Sequence, residues 1–167
     1  MNFQKLLEEE IEKIKGSKVK PKLLLHACCG PCSSYVIEYL SNYFDITIYY
    51  YNPNTYPETE YLRRLDELNK FINNFDNSVE VVEDNYDPSE FYNSIKGLEH
   101  LGERSERCYK CYTLRMNKAA IYAKENNYDY FTTTLSISPY KNAEWINEIG
   151  KNLEQEIGIK YLYSDFK

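Results

Sequence analysis

The sequence predicts an α/β fold, a Rossmann-like three-layer sandwich built on a mostly parallel sheet. Three observations carry that prediction. Short apolar runs without polar alternation recur along the chain, as in strands buried on both faces of a parallel sheet. Helical patterns separate most of these runs, and regular strand–helix alternation implies right-handed crossovers with helices on both sheet faces. The 167 residues, 43% hydrophobic and 28% charged, suffice for one domain (1–167) with a single substantial core.

The elements follow in order. Phe3, Leu6, Leu7, Ile11 and Ile14 recur at helical spacing before Gly16, so residues 1–16 read as an amphipathic helix with Glu8, Glu9, Glu10 and Glu12 on a solvated face. A polar linker then leads to Leu23-Leu24-Leu25, the expected first and central strand. Further strands are expected at 46–51, 79–82, 130–134 and 159–163, and helices at 31–42, 58–73, 107–126 and 142–157. The stretch 84–106 has no clear period. It is expected to be an irregular excursion with a short helix that delivers the second cysteine pair to the site.

Composition narrows the class of protein. A mean hydropathy of -0.66, no long apolar run and an N-terminus of Met1-Asn2-Phe3-Gln4 followed by acidic residues give no sign of a membrane span or signal peptide. The expectation is a soluble, cytoplasmic protein. In that compartment thiols stay reduced, so five cysteines in tight clusters point to metal or redox chemistry rather than a disulfide framework. A formal charge of -6 argues against a large nonspecific nucleic-acid surface while leaving room for a local basic patch gripping one structured RNA. The eighteen tyrosines are assigned mainly to core and strand packing.

In an open parallel sheet, ligands bind beyond the carboxyl ends of the strands. His26-Ala27-Cys28-Cys29-Gly30-Pro31-Cys32 follows the first strand at that edge. Gly30 permits a tight turn, Pro31 suits the start of a helix, and Cys32 falls just inside a helix whose N-terminus stabilises thiolates. Arg107-Cys108-Tyr109-Lys110-Cys111 opens a later helix with both sulfurs aimed at one ion or cluster. Two groups of cysteines so far apart in sequence suit either an iron–sulfur cubane or zinc, and spacing alone does not choose. The adjacency of Cys28 and Cys29 favours iron–sulfur, because zinc pairs prefer a spacer. A third reading takes Cys29-Gly30-Pro31-Cys32 as a thiol-redox motif, which leaves Cys28, Cys108 and Cys111 without a role.

Asn52, Asn54, Glu60 and Arg63 follow the second strand at the same edge, where amides can read a polar base and an arginine can meet phosphate. Asn-Pro-Asn reads equally as a turn, and Glu60 with Arg63 as an exposed helical pair. Thr132, Thr133 and Thr134 are as consistent with plain strand as with a site, and Ser136, Ser138, Tyr140 and Lys141 lie in the loop beyond. Arg104, Arg107, Lys110 and Arg115 form the densest basic cluster, around the second cysteine pair. His26 and His100 receive no role, a lone histidine at a strand end being more often a satisfied structural residue. Trp145, with Ile146 and Ile149, reads as helix-face packing.

These residues resemble the cobalamin-independent epoxyqueuosine reductase family, QueH. The resemblance rests on Leu24-Leu25-His26-Ala27-Cys28-Cys29-Gly30-Pro31-Cys32, on Tyr51-Asn52-Pro53-Asn54 with Glu60-Tyr61-x-Arg63, and on Arg107-Cys108-x-x-Cys111-Tyr112-x-x-Arg115. It continues through Asp129 to Leu135, Ser138 to Asn142 and Lys160 to Lys167. It implies an adenine-nucleotide alpha-hydrolase-like fold with cysteines where phosphates would sit. It further implies a [4Fe-4S] cluster on Cys28, Cys29, Cys108 and Cys111, with Cys32 a spare thiol or a ligand to an additional adjacent metal ion. Cys32, His26 and Asp165 are the groups considered for that outer position, and no spacing rule selects one. The implied activity is reduction of epoxyqueuosine to queuosine in tRNA, with Asn52, Asn54, Glu60, Arg63, Arg107, Tyr140 and Lys141 as substrate contacts and the anticodon arm held at the basic cluster. Family members usually carry a further segment with a C-G-C pair. The chain ends at Lys167, so truncation, with loss of turnover, is the expectation here.

Overall fold

The computed structural model describes residues 2–16, 18–28, 30–75, 79–101, 106–135 and 143–164, with the backbone alone at 30–32. Its elements are α1 (Phe3–Ile14), β1 (Lys22–His26), α2 (Gly30–Leu40), β2 (Asp45–Tyr50), α3 (Glu58–Phe75), β3 (Glu80–Glu83), α4 (Pro88–Ser94), α5 (Glu106–Glu125), β4 (Tyr130–Thr133), α6 (Ala143–Ile157) and β5 (Lys160–Tyr161). The five strands form one sheet in the order β3-β2-β1-β4-β5, and every neighbouring pair is parallel. The expected doubly wound architecture is therefore present, with β1 at its centre. Alternation of strand and helix forces this outcome, since each parallel pair needs a crossover.

Side-chain alternation along the strands separates two cores. Leu23, Leu25, Ile46, Ile48 and Tyr50 face α1, α2 and α3, where Leu7, Ile11, Val36, Ile37, Leu40, Leu65, Leu68 and Ile72 cover them. Leu24, Tyr49, Tyr51 and Phe131 face α5 and α6 and pack on Met116, Ala119, Ala120, Ala123, Ile146, Ile149 and Leu153. The alanines let α5 lie close to the sheet. Gly150 does the same for α6, because a Cβ there would come within 2.4 Å of the Tyr161 ring.

The turns back into the sheet are set by local stereochemistry. Asn127 at the end of α5 (φ 61°) and Gly158 at the end of α6 (φ 81°) adopt the left-handed conformation that closes helices. In each case a backbone N–H is donated into the last turn, from Tyr128 to the Ala123 carbonyl and from Gly158 to the Glu154 carbonyl. The excursion after β3 contains α4, whose first turn is capped by the Asp87 carboxylate accepting from Ser89 N–H at 3.0 Å.

Two details depart from expectation. Glu10 does not share the solvated face of Glu8, Glu9 and Glu12; it accepts hydrogen bonds from the Tyr130 hydroxyl at 2.6 Å and from Lys160 at 2.8 Å. Burial holds its carboxyl up while those partners pull it down, and the net effect is a lowered pKa. The last strand is also shorter than expected. Leu162 N–H still bonds the Phe131 carbonyl, but the chain then leaves the sheet to meet α6.

Candidate metal centre at the carboxyl edge

An all-parallel sheet brings the exits of all five strands to one edge, and the strand order reverses at β1. The crevice between β1 and β4 is therefore the topological switch point at which ligands of such sheets bind. His26, the last residue of β1, ties this edge together. Its Nδ1 lies 3.0 Å from the Thr133 hydroxyl and its Nε2 3.0 Å from the Tyr51 carbonyl. A carbonyl only accepts, so Nε2 carries the proton and Nδ1 accepts from Thr133. Complete burial, followed by the nearby positive charge of Arg115, pushes the His26 pKa down to about 3, so the ring is a neutral joint between β1, β2 and β4. It is a structural residue, as the sequence suggested.

Beyond this joint the chain runs to Ala27 and the half-buried Cys28. Asn52, 1% exposed, donates from Nδ2 to the Ala27 carbonyl at 3.0 Å and so fixes the start of the cysteine loop. Among the described residues, four oxygens near this edge are buried with no hydrogen-bond partner, namely Asn52 Oδ1, Asn54 Oδ1, Thr134 Oγ1 and Ser164 Oγ. Unpaired buried polar atoms are costly, about 1–3 kcal/mol each. Thr132 and Thr133 are otherwise engaged, with the Leu162 carbonyl and His26 respectively.

The second cysteine pair stands on the first turns of α5, which packs on β1 and β4. Cys108 is half-buried and Cys111 buried. They share a helical stripe with Tyr112, Arg115 and Met116, the spacing of three and four residues that places side chains on one face. Tyr112 is hydrogen-bonded to Cys108, and burial together with that neighbour raises its phenol pKa. The N-terminal end of α5 adds a favourable field for thiolates.

The structure differs from the sequence reading at Arg115. Counted above with the surface cations, it is 3% exposed; its Nε contacts the Cys111 carbonyl at 3.5 Å, and its guanidinium lies 6.0 Å from the Tyr112 ring centroid. It cannot meet an RNA backbone from that position. Arg107 is half-buried and Lys110 exposed on the same turns, and Arg104 lies outside the described residues.

Glu60 and Arg63 are found as a pair on the outer side of α3. Arg63 reaches Glu60 at 2.5 Å and Glu67 at 2.5 Å, and Arg64 joins Glu60 at 2.9 Å. The hydrogen bonds from Arg63 and Arg64 hold the Glu60 carboxyl down to about 2. Cys29, Tyr140, Lys141 and Asp165 lie outside the described residues, as does the Cys32 side chain; the Cys32 backbone is in the first turn of α2. Trp145 packs edge-to-face on Tyr109, 5.6 Å between centroids.

The sequence reading missed the carboxylates over β2. Tyr49 donates to Asp84 and Tyr51 to Glu90 at 2.8 Å, with Lys118 3.6 Å from Glu90. It also missed Asn147 of α6, 1% exposed, which holds the chain after β5. Neither had a signal in spacing, because each joins residues that only the fold brings together.

A family model described as epoxyqueuosine reductase QueH matches residues 23–167. The chain belongs to the QueH family. A Staphylococcus epidermidis protein named epoxyqueuosine reductase QueH is 42% identical over 173 residues, an alignment covering 100% of this chain and 73% of that protein. Proteins of the same name from Streptococcus pyogenes (37% identical, 100% of this chain and 67% of the relative) and Staphylococcus aureus (38%, 100% and 72%) are also similar.

The donor set suits the metal centre that membership of the QueH family suggests. None of Cys28, Cys108 and Cys111 is in a disulfide, and a buried cation stands beside the pair on α5. Among the described residues no three histidine, cysteine or carboxylate side chains converge closely enough to hold an ion; Cys29 is outside that set. Among the described residues no helix is long and apolar enough to cross a membrane.

Proposed function

We propose that this protein is a cytoplasmic epoxyqueuosine reductase that converts epoxyqueuosine to queuosine in the anticodon arm of tRNA. Cys28, Cys29, Cys108 and Cys111 hold a [4Fe-4S] cluster in this reading, within the single domain 1–167. What supports it is membership of the QueH family, together with Cys28 in the loop after β1 and the Cys108/Cys111 pair on α5, a helix that packs on β1 and β4.

The reaction replaces an epoxide by an alkene and releases its oxygen as water, consuming two electrons and two protons. A cluster held by these four cysteines would supply electrons singly, and an additional adjacent metal ion would supply Lewis acidity toward the epoxide oxygen. The residues of this chain do the rest. Asn52 holds the cysteine loop through the Ala27 carbonyl and is a proposed contact to the modified base. Neutral His26 cannot serve as an acid near pH 7, since both ring nitrogens are engaged and its pKa is about 3. Cys32 and Asp165 are the proposed residues for proton delivery or for an additional metal ion beside the cluster. Asn54, Glu60, Arg63, Arg107, Tyr140 and Lys141 complete the proposed substrate contacts, with Arg107 and Lys110 as phosphate partners on the α5 side.

The test is anaerobic purification followed by single-turnover assay with a chemical reductant and tRNA carrying epoxyqueuosine. Brown protein with four irons and four sulfides per chain, and conversion of the epoxide nucleoside seen by mass analysis, are expected. Colourless protein with one zinc per chain would sink the cluster, and a clustered protein that leaves the nucleoside unchanged in that assay would sink the substrate.

A further inference from the structure

A buried charge is tolerated only where something compensates it, and Arg115 is the least compensated cation among the described residues. It is 3% exposed. No described carboxylate forms an ion pair with it, whereas other lysines and arginines on exposed faces do pair with neighbouring carboxylates. Its recorded contacts are the Cys111 carbonyl at 3.5 Å and the face of Tyr112. An arginine keeps its proton in any protein interior, so neutralisation by proton loss is not open to it.

The position of Arg115 says where a counter-charge would have to be. It lies four residues after Cys111 and seven after Cys108, on the buried stripe of α5. Helical side chains lean toward the N-terminus of their helix, which carries this guanidinium toward the cysteine turns. On the sheet side the His26 ring, engaged at both nitrogens by Thr133 and Tyr51, offers it no negative charge. On its own helix the neighbours are the Cys111 carbonyl and the Tyr112 ring, and the two thiols of the stripe stand one and two turns before it.

We infer that Arg115 is the built-in counter-charge of a doubly negative metal–thiolate centre at Cys28, Cys29, Cys108 and Cys111, and that it sets how readily that centre accepts an electron. The inference rests on the metal-centre reading above. Four thiolates around an oxidised cubane core leave a net charge of two minus, and one-electron reduction adds a third negative charge. A fixed cation within the same stripe opposes both. It favours assembly of the centre and raises its reduction potential, through the burial and fixed charge that tune such clusters. Arg115 is thus a positioning and tuning residue with no contact to substrate.

The experiment compares wild type, Arg115→Gln and Arg115→Lys, each as apoprotein and after anaerobic reconstitution with iron and sulfide. Arg115→Gln should melt at the same or a higher temperature than wild type as apoprotein, because an uncompensated buried charge is gone. Loaded, it should melt lower than wild type and titrate at a more negative midpoint potential, with Arg115→Lys close to wild type in both. That inversion of sign between apo and loaded protein is what a merely structural arginine does not give. Equal loss of melting temperature in both states with an unmoved potential would overturn the inference. If wild type takes up zinc and no iron, the cluster reading fails, while the apo-versus-loaded comparison on zinc, also doubly negative with four thiolates, still decides the role of Arg115. Wild type that binds neither metal overturns both.

Discussion

Asn147 holds Ser164 by both of its backbone groups. The Asn147 amide donates to the Ser164 carbonyl at 2.8 Å, its oxygen accepts from the Ser164 N–H at 3.0 Å, and the same amide nitrogen reaches the Ala143 carbonyl at 2.8 Å. A side chain thereby takes the place of a strand at the point where the sheet ends.

Asn147→Leu strands the Ser164 N–H and carbonyl in a buried place, each worth about 1–3 kcal/mol. We expect chemical denaturation to show a loss of about 2–4 kcal/mol. A loss below the error of the measurement would mean that the chain beyond β5 is held by other contacts.

Acid should weaken the fold through His26. The unfolded chain protonates near pH 6.5 and the folded protein only near 3. Between those values the unfolded state binds the extra proton, so stability falls as pH drops through that window, by at most ~1.4 kcal/mol per pH unit from this residue. Stability measured from pH 7 to 4 should slope more steeply in wild type than in His26→Asn. Parallel slopes would show that the ring is not held neutral.

Gly150→Ala should destabilise the protein by about 2 kcal/mol or more, because the added methyl meets the Tyr161 ring within 2.4 Å. Pairing it with Tyr161→Leu, which removes the ring, should recover part of the loss in a double-mutant cycle. Additive effects would place the strain elsewhere.

The cysteines should divide into two classes. Alanine at Cys28, Cys108 or Cys111 should abolish the visible absorbance and the full iron content of the reconstituted protein, while Cys32→Ala should keep both and lose turnover. Loss of the cluster in Cys32→Ala would exchange its assignment with one of the four.

Arg63→Ala separates two roles for the α3 pair. Arg63 is exposed and shared between two carboxylates, so its removal should leave the melting temperature unchanged. Weaker binding of the tRNA substrate in that variant would mark Arg63 as a phosphate contact; unchanged binding would leave it as a solvated helical pair.

The sheet and its helices were legible in the sequence because burial on both faces writes continuous apolar runs and one-sided helices write a 3.6-residue period. The observed helices start and stop within about two residues of the expected positions, and Leu23-Leu24-Leu25 is the central strand. Cys28, Cys108 and Cys111 were singled out for a different reason, since the sequence reading expects a reducing compartment, where clustered thiols have few other uses. Arg115 was not. A charged residue between cysteines and a helix end looks like a surface cation until the packing of α5 on β1 puts it inside. Asn147 and Glu10 were equally opaque, because their partners lie far away in sequence and no local pattern records them.

Glu10 also carries a consequence for the order in which the protein is made. Its partners Tyr130 and Lys160 are translated 120 and 150 residues after it. While the ribosome is still adding those residues, the Glu10 carboxylate has only the Lys13 ammonium of its own helix, 3.6 Å away, to meet. The apolar side of α1 can settle on β1, α2 and β2 as soon as these are made, but its polar anchorage to the sheet waits for β4 and β5, so a nascent chain stalled before β4 holds this helix by apolar contacts alone.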